Sequence, residues 1–164
     1  MGTVTNVVIA GLGGQGVLKA SDILAEAAFR AGYEVKKAEV HGMSQRGGSV
    51  TSDVRFGRIV LSPMVPEGEA DCLVALEETQ VDPTRHCLKP GGAVLTPSGI
   101  DVAALPTQKA LNVAMLGLLS AHLPIPDSAW MDAIHANFPQ RLHEANEKAF
   151  RIGRSGADNK GGTP

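Results

Sequence analysis

Only two cysteines, Cys72 and Cys87, occur in 164 residues. A four-cysteine iron–sulfur site cannot be built from them, and no histidine sits at the close spacing that a structural zinc site needs. Cys72 lies inside the apolar run Cys72–Leu76 and reads as a buried strand residue, and Cys87 reads as an ordinary residue near a helix end. Aromatic residues make up 4% of the chain, so a core must come from Val, Leu, Ile and Ala. The net charge of −2, with 20% charged residues, offers no basic surface for nucleic acid or for an anionic membrane. No apolar run approaches the roughly 20 residues of a membrane span. The N-terminus has no basic segment followed by an apolar stretch and a cleavage site, so it does not read as a signal peptide, and the expected location is the cytoplasm.

What is present is 43% hydrophobic and long enough for one domain. The organising stretch is Val7-Val8-Ile9-Ala10, which runs into glycines at Gly11, Gly13, Gly14 and Gly16 around Gln15. A helical stripe of Val17, Ala20, Leu24, Ala27, Ala28 and Ala31 follows, ended by Gly32. This is strand, tight turn, helix, the opening of a parallel α/β unit that places ligands at the strand's carboxyl end. A second strand over Glu34 to Val40 leads to a long polar, glycine-rich loop containing His41, Ser44, Gln45, Arg46, Gly47 and Gly48.

The remaining pattern predicts a β-hairpin of Ser49 to Phe56 with Ile59 to Leu61, and a buried strand over Asp71 to Leu76. A helix over Glu78 to His86, interrupted near Pro83, a Lys89-Pro90-Gly91-Gly92 turn and a strand over Ala93 to Thr96 come next. The helix Gln108 to Leu123 is apolar on nearly every side and so belongs in a core or against a partner. Two more helices follow, one capped by Asp127 or Ser128 and one from Pro139 to about Ile152. The expected fold is α/β, a three-layer α/β/α arrangement with a mostly parallel, Rossmann-like sheet plus the hairpin. Residues 1–153 form one domain, and 154–164 read as a disordered tail.

The glycine turn has two readings. One is a dinucleotide fingerprint, with Glu39 as the ribose-binding carboxylate and the helix start facing a pyrophosphate. The other is a tight structural turn that needs glycine for positive φ and close packing. Gln15 is unusual in such a turn, and its amide can bridge to another loop or to a partner chain. In the second loop Arg46 is the candidate for an ionic contact. His41 is a catalytic base or, more simply, a hydrogen-bonded loop histidine. Glu77 and Glu78 suit the first turn of a helix better than an acid/base pair.

Taken together, Gly11-Leu12-Gly13-Gly14-Gln15-Gly16 and the segment Ala38 to Val50, with its His41-Gly42-Met43-Ser44-Gln45-Arg46-Gly47-Gly48 core, resemble the gamma-type domain of the 2-oxoacid:ferredoxin oxidoreductases. The second motif is most similar to the beta subunit of the indolepyruvate branch. Ser62-Pro63, Pro66 to Asp71, the Lys89 to Gly92 turn, Asn112 and Asn146 to Phe150 fit as well, so the resemblance spans about residues 5 to 153. Ser98 to Thr107 is shorter than the corresponding stretch of the family, which carries an extra strand there.

The resemblance implies a non-catalytic subunit of a complex that decarboxylates a 2-oxoacid on thiamine diphosphate. Such a complex passes electrons through iron–sulfur clusters to ferredoxin and transfers the acyl group to coenzyme A. For the indolepyruvate branch the substrates are aryl pyruvates. With two cysteines and no Gly-Asp-Gly segment of the diphosphate-binding type, this chain leaves thiamine diphosphate and the clusters to a larger catalytic partner. No residue here is assigned as catalytic or as a metal ligand. Gly11, Gly13, Gly14, Gln15, Gly16, His41, Ser44, Arg46, Gly47 and Gly48 are the candidate contacts with a ligand or partner. The competing readings are a stand-alone Rossmann-type nucleotide binder or dehydrogenase that depends on Glu39, and a repurposed relative without a redox partner.

Overall fold

The computed structural model describes residues 2–41 and 48–160. Its elements are β1 (Thr5–Leu12), α1 (Val17–Arg30), β2 (Glu34–His41), β3 (Ser49–Gly57), β4 (Ala70–Ala75), α2 (Val81–Thr84), β5 (Leu88–Leu95), α3 (Leu111–Ser120), α4 (Asp127–Asn137) and α5 (His143–Lys160). Short 3-10 turns flank α2 and precede α3 and α5. The sheet order is β2-β3-β1-β4-β5. β1 pairs with β4 and β4 with β5 in parallel, while β3 runs antiparallel to both β1 and β2. Four strands therefore share one direction, and the sheet is mixed rather than mostly parallel by pairing. Positions 6–11 of β1 are buried, which explains its near-continuous apolar composition: it lies at the centre of the sheet.

The expected hairpin is corrected. β3 pairs antiparallel with β2, with Glu34 opposite Gly57 and His41 opposite Val50, and not with Ile59 to Leu61. The apolar alternation of 59–61 is real: Val60 is fully buried while Ile59 and Leu61 are exposed. Those residues nevertheless lie in a non-regular crossing that leads to β4. Two helix ends also differ from the reading. The residues expected in a disordered tail are helical as far as Lys160, and Pro126, not Asp127 or Ser128, occupies the cap position of α4. The Lys89 to Gly92 turn lies inside β5, beside a register irregularity between Ala70 and Cys72.

One face of the sheet carries the main core. Val7, Ile9, Val54, Phe56, Cys72 and Val74 pack there with α1, α3, α4 and α5, including the buried pair Trp130 and Phe150, whose rings are 5.5 Å apart. α3 is buried at every position but Leu111, as its all-round apolar pattern requires. It crosses α5 so closely that a Cβ at Gly117 would strike the Phe150 carbonyl, and one at Gly153 the Ala114 carbonyl. The opposite face holds a smaller cluster of Val8, Ala10, Ala70 and Leu73, covered by Val65, Cys87 and Leu88. The third layer on that side is thus thin, formed by the 58–69 crossing and the one-turn α2.

Candidate functional site

The carboxyl ends of β1, β2 and β4 and the start of β3 meet at one edge of the sheet, because antiparallel β3 sets Ser49 opposite Leu12. This brings the two glycine clusters together: the Gly13 amide donates to the Gly48 carbonyl at 2.9 Å. Gln15 is the clamp of the site. Its Oε1 accepts from the Leu12 amide at 2.7 Å, and its Nε2 donates to Glu77 Oε2, at the end of β4, at 2.9 Å. The side chain therefore bridges to another loop, one of the two roles open to it from sequence. Each such bond contributes about 1 kcal/mol net, and the partly buried Glu77 carboxylate strengthens the second. Ser49 Oγ donates to Gln80 Oε1 at 2.7 Å, which ties the start of β3 to the turn after β4.

The glycines have separable roles. A Cβ at Gly11 would lie 2.8 Å from Val17 Cγ2 and 3.0 Å from Gln15 Oε1, so close packing excludes a side chain. Gly16 caps α1 at φ +85°, and a Cβ there would sit 2.5 Å from Asn112 Nδ2. Asn112, buried on α3, fills that space and donates to the Gly16 carbonyl at 3.3 Å. In front of the turn lies a cleft of about 420 Å³ bordered by Leu12, Gly13, Gly14, Gly16, Val17, Leu18, Lys19 and Val50. The first-turn amides of α1 have no intrahelical partner. Lys19 sits at this end of α1, its ammonium on the Asn137 carbonyl at 3.1 Å and 5.4 Å from the Phe138 ring centre. Chemically, the cleft offers backbone donors and one cation to an anion.

Of the predicted site residues, Gly11, Gly13, Gly14, Gln15, Gly16 and Gly48 converge. Ser44, Arg46 and Gly47, with Gln45, lie outside the described residues, as does the side chain of His41. Glu39 does not join the site. β3 lies between β2 and β1, which sets Glu39 two strands from the glycine turn, on the order of 10 Å away. Its Oε1 is held by Lys37 Nζ at 2.9 Å, and Lys37 also pairs with Asp22. The dinucleotide reading loses its ribose partner on this geometry. Sequence reasoning missed Gln80 and set Glu77 aside as a helix-start charge. The signal for Glu77 was its position directly after a buried parallel strand.

The thiols do not fit a cluster. Burial pushes Cys72 up to about 11, with Asp71 adding to the rise, and burial pushes Cys87 up to about 11, with Asp53 adding to it. Both are thiols rather than thiolates at neutral pH. Among the described residues no group of three or more His, Cys, Asp or Glu side chains is placed to hold a metal, and no helix is long and apolar enough to cross a membrane.

Against known proteins, residues 6–110 match the family model for pyruvate ferredoxin/flavodoxin oxidoreductase. Indolepyruvate oxidoreductase subunit IorB of Thermococcus kodakarensis is 34% identical over 188 positions, covering 90% of this chain and 93% of the relative. An alignment that long opens gaps on this side, in keeping with a chain that lacks residues its relative has. The gamma subunit of a keto/oxoacid ferredoxin oxidoreductase from Geobacter sulfurreducens superimposes with a TM-score of 0.81 at 25% identity, covering 96% of this chain and 98% of that one. A 2-oxoglutarate:ferredoxin oxidoreductase from Magnetococcus marinus, solved with 2-oxoglutarate, coenzyme A and succinyl-CoA bound, shares the fold with a TM-score of 0.80 at 21% identity. There the fold accounts for only 31% of the longer chain.

Proposed function

The chain belongs to the pyruvate ferredoxin/flavodoxin oxidoreductase family, and from that premise we propose that it is the small subunit of a 2-oxoacid:ferredoxin oxidoreductase whose substrate is indolepyruvate or a related aryl pyruvate. The observation that carries this reading is the match along nearly the whole of both chains to a small subunit named for indolepyruvate. A larger partner subunit holds thiamine diphosphate and the iron–sulfur clusters. That group, when bound, supplies the decarboxylation, and the clusters pass electrons to ferredoxin. The assembly works in the cytoplasm.

The contribution of this chain is positional. The Gln15–Glu77 clamp and the Gly13–Gly48 bond tie the glycine turn after β1 to the end of β4 and to Gly48 at the start of β3. We assign the cleft in front of them to the phosphates of coenzyme A. The first-turn amides of α1 and the Lys19 ammonium are the donors, and the sequence motif offers His41, Ser44 and Arg46 as further candidate contacts. The lack of Cβ atoms at Gly13 and Gly14, which border the cleft, supports close approach of a ligand to backbone.

The test is co-expression with the larger subunit, followed by anaerobic dye reduction with indolepyruvate and coenzyme A. Activity that requires this chain is the expected result, and full activity of the larger subunit alone refutes the reading. Lys19→Ala and Arg46→Ala should each raise KM for coenzyme A several-fold while leaving KM for the 2-oxoacid unchanged. An unchanged KM for coenzyme A in both variants removes the assignment of the cleft.

A further inference from the structure

The thin side of the sheet carries the largest exposed apolar groups outside the helices. Ile59 is 59% exposed, Leu61 88% and Met64 57%. They sit on the 58–69 crossing, which is pinned at several points. Val60 is buried, Arg55 Nη1 donates to the Ser62 carbonyl at 2.8 Å, and the Val65 amide donates to Asp53 Oδ2 at 2.9 Å. Asn6 Nδ2 donates to the Glu69 carbonyl at 3.1 Å, and Arg55 Nε donates to Asn6 Oδ1 at 2.8 Å. A strap fixed in this way presents its apolar side chains with its backbone already ordered, so a partner meets little loss of entropy on docking.

Beside the strap the sheet face opens a pocket of about 230 Å³ whose lining includes the ionisable Asp53, Glu67 and His86, set among Val8, Val40 and Val65. Burial pushes the Asp53 carboxyl above its ordinary value, although a backbone bond from Val65 and the charge of Arg55 act the other way. The carboxylate lines the pocket half-buried, where a cation brought by a partner would favour its charged form. An apolar patch beside an acidic pocket has the anatomy of an interface with one charged anchor.

We propose that this strap face, Ile59, Leu61 and Met64 with the Asp53–Glu67 pocket, is where the larger subunit docks, through an apolar surface and a Lys or Arg side chain that enters the pocket. The inference rests on the small-subunit reading. The occupant follows from the relatives: the same fold occurs as a whole subunit and as 31% of a longer chain, so it is built to lie against the remainder of that assembly.

The experiment measures binding of purified variants to the immobilised larger subunit, with thermal unfolding of each variant as the folding control. Leu61→Asp, Met64→Asp and Glu67→Lys should each weaken binding at least tenfold with an unchanged melting temperature. Phe29→Asp, which places the same charge on α1 at a side chain 69% exposed, should bind within twofold of the wild type. Wild-type affinity in Leu61→Asp and Met64→Asp overturns the docking face and leaves the subunit reading intact. No binding by the wild-type chain overturns both. Self-association of the isolated chain that Leu61→Asp abolishes assigns the face to a second copy and overturns the proposal.

Discussion

Replacing Gly16 by alanine tests whether the glycine turn is shaped by α3 as the geometry requires. Two costs add. At φ +85° an alanine in the left-handed region loses roughly 1–2 kcal/mol. Its Cβ would also lie 2.5 Å from Asn112 Nδ2, forcing a buried amide off the Gly16 carbonyl, which it now reaches at 3.3 Å, at about 1–2 kcal/mol more. The total is about 2–4 kcal/mol, or roughly 5–15 °C in melting temperature for a domain of this size. The Asn112→Ala background separates the two terms. It removes the collision but not the backbone strain, so Gly16→Ala should cost only about 1–2 kcal/mol there. A double-mutant cycle by urea unfolding should therefore show a coupling of about 1–2 kcal/mol. A cost below about 1 kcal/mol in the wild-type background, or a coupling within error of zero, would show that the turn does not depend on α3 and would refute the reasoning.

Three other outcomes are expected. Gly153→Val drives a side chain into the Ala114 carbonyl where α3 and α5 cross, so it should destabilise by more than about 3 kcal/mol or prevent folding, while the surface change Arg151→Ala on the same helix stays within about 0.5 kcal/mol, both measured by urea unfolding. Gln15→Leu removes the bonds to the Leu12 amide and Glu77, costing about 1–3 kcal/mol, and hydrogen exchange should accelerate at Leu12 more than at Val8 in the same strand. For Asp53 the folded-state pKa lies above the unfolded one, so the folded state binds the proton more tightly and stability falls as pH rises from the ordinary carboxylate value through the folded pKa. Asp53→Asn should flatten that acidic part of the stability curve and should not destabilise the isolated chain at neutral pH. A steeper fall in the variant contradicts the sign.

Legibility followed locality. The strand–turn–helix at Val7 to Ala28, the buried run at Asp71 to Leu76 and the all-round burial of α3 were readable because each is written in one contiguous pattern. The hairpin was misassigned because period-two alternation continues through Val60: the sequence marks which residues point inward but not which strand pairs with them. The last helix was expected to end at about Ile152 for a similar reason. A glycine within a polar, glycine-containing segment looks like an end, yet here Gly153 admits the α3 backbone, and Gly156 in the next turn meets the Gly99 carbonyl. Contacts between residues far apart in sequence, such as Gln15 with Glu77, leave no periodic trace.

The same long-range effect decides what the glycine motif is for. In a dinucleotide fold the second strand lies beside the first, and its terminal carboxylate reaches the ribose of a ligand lying on the glycine turn. Here one antiparallel strand enters between them. That insertion moves Glu39 out of reach and hands it to Lys37, and it brings Gly48 and Ser49 into the place the second strand would occupy. The turn gains a backbone neighbour and loses a recognition carboxylate. What remains is a set of amide donors braced by Gln15 from one side and Asn112 from behind, with no carboxylate of β2 beside it to recognise a ribose. Spacing within the motif is identical in the two cases. The order of strands, which the motif does not encode, separates them.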